Sequence, residues 1–213
     1  MPAPAIKICG LTDASALDAT IRARADFAGF VFFPRSPRHL TLPQAAELSA
    51  HAARRIKLVG LFVDADDRTI GEAIAAAKLD VLQLHGRETP ERAAQLREQF
   101  GLPVWKALAV ASRSDVDRAN RYTGAADLIL FDAKTPKGAL PGGMGLSFDW
   151  SLIAGRKGPL PWGLAGGLSP DNVAKAVRLT GAPLVDTSSG VESAPGVKDT
   201  GKIAAFCAAA RTP

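Results

Sequence analysis

Cysteine is close to absent from this chain: Cys9 and Cys207 stand at opposite ends of 213 residues, with no C-x-x-C or Cys/His spacing. Neither a disulfide framework nor a zinc site is indicated, and a reducing compartment fits both thiols. No apolar run approaches the roughly 20 residues that a spanning helix needs. Met1-Pro2-Ala3-Pro4 lacks the charged and apolar regions of a signal peptide, so the expectation is a cytoplasmic protein with no membrane partner. A dinucleotide fingerprint is missing too, because Lys7-Ile8-Cys9-Gly10-Leu11-Thr12 stands where a G-x-G-x-x-G would follow the first strand. The net charge is +5, but Arg22, Arg24, Arg54, Arg55, Lys57, Arg92 and Arg97 are scattered over helix-like segments. Without a basic stripe interleaved with aromatics, and without a helix-turn-helix signature, nucleic acid is not expected as a partner.

What the chain does have is enough apolar material, 47% of its residues, to bury one substantial core. Short strands alternate with amphipathic helices: 5–8 then 14–25, 27–32 then 43–53, 57–63 then 69–78, and 81–84 then 90–100. The rhythm continues through 104–108 then 114–122, 128–131 then 149–154, 162–165 then 170–179, and 184–186 then 200–210. Runs such as Leu58-Val59-Gly60-Leu61-Phe62-Val63 are apolar on both faces, as parallel strands covered by helices must be. Eight such units close most economically as a (β/α)8 TIM barrel, here one domain over residues 1–213. An open doubly wound sheet is the alternative. Helix starts are marked by Asp13 and by Ser169-Pro170-Asp171, where serine would be the N-cap and proline the first helical residue. Two glycine-bearing stretches, 133–147 and 187–199, read as long functional loops.

In a barrel the C-terminal ends of the strands converge on one pocket, which makes neighbours of Cys9, Asp64, His85, Asp132 and Asp186. Cys9 ends the first strand before Gly10, with Lys7 two residues earlier on the same side, where a cation can favour thiolate. That position points to a reactive thiol over a small buried filler. Asp132 follows an apolar strand, where desolvation suits a general acid, although strand-end aspartates also bond loop amides. Asp186 could orient the loop that follows it, and Asp64 could cap the next helix. Gly166-Gly167 and Ser188-Ser189-Gly190-Val191 follow strands seven and eight, the place where backbone N–H groups of this fold hold phosphate. Arg35 and Arg38 sit in a proline-stiffened loop that could aim a guanidinium at a carboxylate. His85 could be a hydrogen-bonding wall, a base or a filler.

Taken in order, Lys7-Ile8-Cys9-Gly10-Leu11-Thr12, Ser36-Pro37-Arg38, Gln83-Leu84-His85-Gly86, Phe131-Asp132, Gly142-Gly143-Met144-Gly145, Leu164-Ala165-Gly166-Gly167-Leu168 and Asp186-Thr187-Ser188-Ser189-Gly190-Val191-Glu192, with Pro195-Gly196-Val197-Lys198-Asp199 behind them, carry a resemblance. The chain resembles the phosphoribosylanthranilate isomerase family of tryptophan biosynthesis over nearly its whole length. That resemblance implies an Amadori rearrangement of a phosphorylated small-molecule substrate, without metal or other cofactor, by a monomer or homodimer. It implies Asp132 as general acid, Cys9 as the base at C2 of the sugar, and Arg38 on the anthranilate carboxylate. Gly166, Gly167, Ser188, Ser189 and Gly190 would seat the phosphate, and Lys7, His85 and Asp186 are further candidate substrate-binding residues. Met144 and Leu146 depart from the threonine and lysine usual in the family, so loop closure would be held differently.

Two other classes compete. A different phosphosugar barrel, such as a ribulose-phosphate epimerase or the tryptophan synthase alpha chain, would need strand-borne metal-binding histidines or early-strand carboxylates. Only His39, His51 and His85 are present, and Cys9 stands where the carboxylate would be. A non-catalytic phosphosugar-binding barrel would keep the cradle and lose the acid or the base.

Overall fold

The structure, a computed structural model, describes residues 3–134 and 145–212. Strands β1 (Ala5–Cys9), β2 (Phe27–Phe32), β3 (Lys57–Phe62), β4 (Val81–Leu84), β5 (Val104–Val110), β6 (Leu128–Ala133), β7 (Trp162–Leu164) and β8 (Leu184–Thr187) each pair in parallel with the next. Strand β8 returns to β1 through Lys7 opposite Asp186, so the sheet closes as the expected (β/α)8 barrel, not as an open sheet.

Alternation along the strands separates two apolar regions. Outward residues such as Ile6, Ile8, Phe30, Phe62 and Phe131 pack under the helices. Inward residues Val59, Val81, Trp105, Leu130 and Leu184 fill the lower barrel, where Phe27 meets Trp105 edge to face with centroids 4.8 Å apart. Lys7 and Gln83 lie above that plug with no exposed surface, and Cys9, Val31 and Leu61 form the layer at the mouth.

Helices α1 (Ala14–Arg22), α2 (Leu42–Ala52), α3 (Asp67–Ala77), α4 (Pro90–Phe100), α5 (Arg113–Asp117), α6 (Val173–Thr180) and α7 (Thr200–Arg211) cover the barrel. Asp13 caps α1 by accepting the Ala16 N–H at 2.9 Å, as expected, and Thr41 with Gln44 forms a capping box on α2. Two expectations need correction. Helix α6 starts at Val173, because the Asn172 side chain takes the Ser169 N–H and donates to the Gly167 carbonyl, bending residues 169–172 into a turn. Among the described residues after β6 only a 3-10 turn forms, Trp150–Ile153, since Gly155 at φ 64° and the glycines and prolines of 155–161 stop a helix. The loop after β8 carries short elements of its own, a 3-10 turn, Ser189–Val191, and a hairpin of β9 (Glu192–Ala194) and β10 (Val197–Lys198). Met144 and most of the loop after β6 lie outside the described residues.

Candidate active site

At the C-terminal mouth of the barrel lies a cavity of about 820 Å³, part of it open to solvent. Cys9, Arg38, His85, Asp132, Gly166, Gly167, Asp186, Ser188, Ser189 and Gly190 all line it, so ten of the residues expected at the site meet there. Lys7 is the exception. Its side chain is wholly buried beneath the floor and reaches the cavity only through its neighbours. Asp64 and Arg35 stand apart: Asp64 turns outward at φ 49° to take the Arg87 N–H, and Arg35 is exposed. The α3 cap is Asp66, which accepts the Thr69 N–H at 2.8 Å.

On the β1 and β8 side, Lys7 Nζ donates to both carboxylate oxygens of Asp186 at 2.9 Å each, and its charge acts on the neighbouring Cys9 thiol. Burial opposes the lysine's charge, yet Asp186 and Cys9 together hold it above the ordinary lysine range. Burial pushes the Cys9 thiol up, with Lys7 offsetting part of the effect, and it pushes the Asp186 carboxyl up in the same way. The Ser188 hydroxyl donates to the Cys9 carbonyl at 3.0 Å, so the thiol's backbone is tied to the β8 turn. There is no room beside it: a β-carbon on Gly29 would lie 2.9 Å from both the α-carbon and the sulfur of Cys9.

Across the mouth, Asp132 Oδ1 accepts the Ala133 N–H at 2.8 Å, while Oδ2 lies 3.0 Å from His85 Nε2. His85 Nδ1 lies 3.1 Å from the Gln83 amide nitrogen. Asp132 is therefore both bonded to a local amide and presented to the cavity. The backbone around His85 is gripped by Lys106, which donates to the carbonyls of Leu84 and Gly86 and pairs with Glu88 at 2.8 Å.

The glycine turns come together as a cradle. Gly166 has φ 82°, and a β-carbon on it would meet the Ala133 nitrogen at 2.5 Å, so glycine alone fits. The 3-10 turn at Ser189–Val191 leaves its leading N–H groups without partners inside the turn, a geometry suited to an anion. Beside the cradle, Arg38 donates through Nε and Nη2 to the two oxygens of Glu192, both at 2.7 Å. Lys198 donates to Glu192 at 2.7 Å and to the Ser188 carbonyl at 3.0 Å. Two cations thus share one carboxylate, and the cluster carries a net positive charge.

Sequence reasoning passed over Gln83, Glu192, Lys198, Gly29 and the Lys106–Glu88 pair. Gln83 had a usable signal, since it lies two residues before His85 in a strand and so shares its inward face. Glu192 and Lys198 stand inside the motifs, but their roles depend on a contact with Arg38 that bridges 154 residues.

Among the described residues no helix is long and apolar enough to cross a membrane. The family model described as N-(5'-phosphoribosyl)anthranilate (PRA) isomerase matches residues 6–209. An N-(5'-phosphoribosyl)anthranilate isomerase of Paramagnetospirillum magneticum is 57% identical over 207 residues, covering 97% of this chain and 96% of that one. The crystal structure of phosphoribosyl anthranilate isomerase from Thermotoga maritima superposes with a TM-score of 0.88 at 34% identity, covering 99% of this chain and 100% of that one. Another isomerase structure, in complex with reduced 1-(o-carboxyphenylamino)-1-deoxyribulose 5-phosphate, is similar with a TM-score of 0.83 at 31% identity, covering 99% of this chain and 100% of that one. The chain belongs to the N-(5'-phosphoribosyl)anthranilate isomerase family, the isomerases of tryptophan biosynthesis.

Proposed function

We infer that the cavity carries out the Amadori rearrangement of N-(5'-phosphoribosyl)anthranilate by general acid and base catalysis from Asp132 and Cys9. The observation that carries this reading is that a thiol on β1 and a carboxyl on β6 line one cavity, with a glycine cradle beside them. Asp132 in its acid form gives its proton to the furanose ring oxygen. The C1–O bond breaks with its electrons staying on oxygen, and the nitrogen lone pair forms the Schiff base. Cys9 as thiolate then takes the proton from C2, leaving an enolamine that tautomerises to the ketone. Burial makes that thiolate scarce but strongly basic, and the Lys7 ammonium beside it stabilises the charged form.

Binding is divided between the two ends of the substrate. Gly166, Gly167, Ser188, Ser189 and Gly190 seat the phosphate through backbone N–H groups and serine hydroxyls. Arg38, held in orientation by Glu192, presents a guanidinium to the anthranilate carboxylate, and the net positive charge it shares with Lys198 favours an anionic ligand. His85 and Asp186 line the wall, and Lys7 supports Cys9 from below. On this reading the protein works in the cytoplasm as a monomer or homodimer.

Cys9→Ser and Asp132→Asn test the assignment. Each is expected to lower kcat by at least ~10²-fold while affinity for a reduced product analogue stays within a few-fold. Near-normal turnover in either variant would remove the role given to that residue.

A further inference from the structure

Behind Asp132 stands a line of polar groups that the acid step alone does not use. Gln83 is wholly buried, its amide nitrogen lies 3.1 Å from His85 Nδ1, and His85 Nε2 lies 3.0 Å from Asp132 Oδ2. The other end of the amide, Gln83 Oε1, is buried with no hydrogen-bond partner among the described residues. A buried acceptor in that condition is unfavourable unless a second arrangement makes use of it.

The two ends of a glutamine amide exchange by a half-turn about its last bond. With nitrogen toward the ring, the amide donates to Nδ1, so a neutral His85 carries its proton on Nε2 and donates it to an ionised Asp132. With oxygen toward the ring, the amide accepts from Nδ1–H. The ring and Asp132 then hold one more proton between Nε2 and Oδ2. Lys106 fixes the backbone on either side of His85, through the Leu84 and Gly86 carbonyls, so the amide can turn while the ring stays in place.

We propose that Gln83 is a positioning residue that sets how many protons the His85–Asp132 pair carries, donating to the discharged pair and, turned by half, accepting from the pair that holds the extra proton. The inference rests on Asp132 being the acid. In the loaded state the pair gives one proton to the sugar ring oxygen, and the O–H bond forms there as C1–O breaks; the proton left on His85 Nδ1 exchanges through solvent to Nε2, and the amide turns to donate to the freed Nδ1. A proton taken from solvent reloads the pair. The charged and titratable groups around it are Asp186 of β8, Lys7 and Cys9 of β1, Arg38 of the loop after β2 and, behind His85, Lys106 with Glu88. Strands β2, β3 and β7 and the residues just beyond them contribute Val31, Leu61, Val63 and Ala165. None of these is bonded to Nδ1; Gln83 is.

The chain has only 3 histidines, so ring-nitrogen NMR of histidine-labelled protein resolves His85 directly. Gln83→Glu places a permanent acceptor at Nδ1 and is expected to raise the pH midpoint of His85 protonation by about one unit or more. Gln83→Met keeps the shape, offers no acceptor, and is expected to lower it. The inflection of kcat/KM belonging to the acid should move with the ring in each variant, which a purely structural role would not produce. Should Gln83→Glu fail to fold, the apolar variant alone decides the direction. A midpoint that stays put in both variants, or moves the same way in both, overturns the proposal. Asp132→Asn separates it from the reading beneath: retained turnover there removes the acid itself. Lost turnover with an unmoved His85 removes only the role of Gln83.

Discussion

The ammonium of Lys7 lies 2.9 Å from both carboxylate oxygens of Asp186, inside the barrel, with the lysine wholly buried and the two residues 179 positions apart in the chain. Such a pair adds little over apolar packing, but losing one partner strands a buried charge. Lys7→Met is therefore expected to cost ~3–5 kcal/mol in urea unfolding. Lys7→Met with Asp186→Leu should recover much of that loss, because the stranded carboxylate goes with it. Equal losses in the single and double variants would show that the pair is not what the region depends on.

The same lysine governs how Cys9 titrates. Burial raises the thiol above its reference of 9.0 and Lys7 offsets only part of the rise. A raised acid is protonated at neutral pH, and its thiolate appears only above the ordinary cysteine range. Alkylation of Cys9 by iodoacetamide, followed by mass spectrometry, should be slower at neutral pH than for free cysteine and accelerate over that window. Lys7→Met should push the acceleration to still higher pH. A rate already at its plateau at neutral pH would contradict the assignment.

Glu192 holds Arg38 through two bonds of 2.7 Å and shares its charge with Lys198. Glu192→Gln keeps the shape but breaks this orientation. KM is expected to rise about tenfold, equivalent to about 1.4 kcal/mol, with kcat within about twofold. A fall in kcat at unchanged KM would place Glu192 in the chemistry instead.

Space beside the thiol gives a steric prediction. A β-carbon at Gly29 would sit 2.9 Å from the sulfur of Cys9, whereas one at Gly71 in α3 would meet Phe100 at an ordinary 3.5 Å. Gly29→Ala should displace the thiol, lowering kcat at least about tenfold and stability by ~1–3 kcal/mol. Gly71→Ala should be neutral or stabilising by up to ~1 kcal/mol. Matching melting temperatures and rates in the two variants would refute the crowding.

The barrel was legible because β3 and its companions are apolar on both faces, and that pattern admits few other folds. Cys9 and Asp132 were legible because each closes an apolar strand, where this fold gathers its chemistry. The pairings around them were not. Arg38 meets Glu192 across 154 residues and Lys7 meets Asp186 across 179, distances over which no local pattern operates. Lys106 reads as an ordinary strand lysine until the fold buries it against Glu88 on the helix side of the sheet. Asp64 shared the strand-end position of the catalytic candidates, but its left-handed backbone turns it outward to Arg87. Position along a strand thus identified where chemistry gathers, and only the closed sheet decided which side chains face it.

The most direct test of the account is turnover of freshly generated N-(5'-phosphoribosyl)anthranilate, followed as decay of anthranilate fluorescence, in the wild-type protein and in Cys9→Ser. Rapid decay that the substitution abolishes, with the reduced product analogue still bound, is the expected result. Undiminished decay in Cys9→Ser would contradict the assignment of the base, and no decay in the wild-type protein would contradict catalysis at this site altogether.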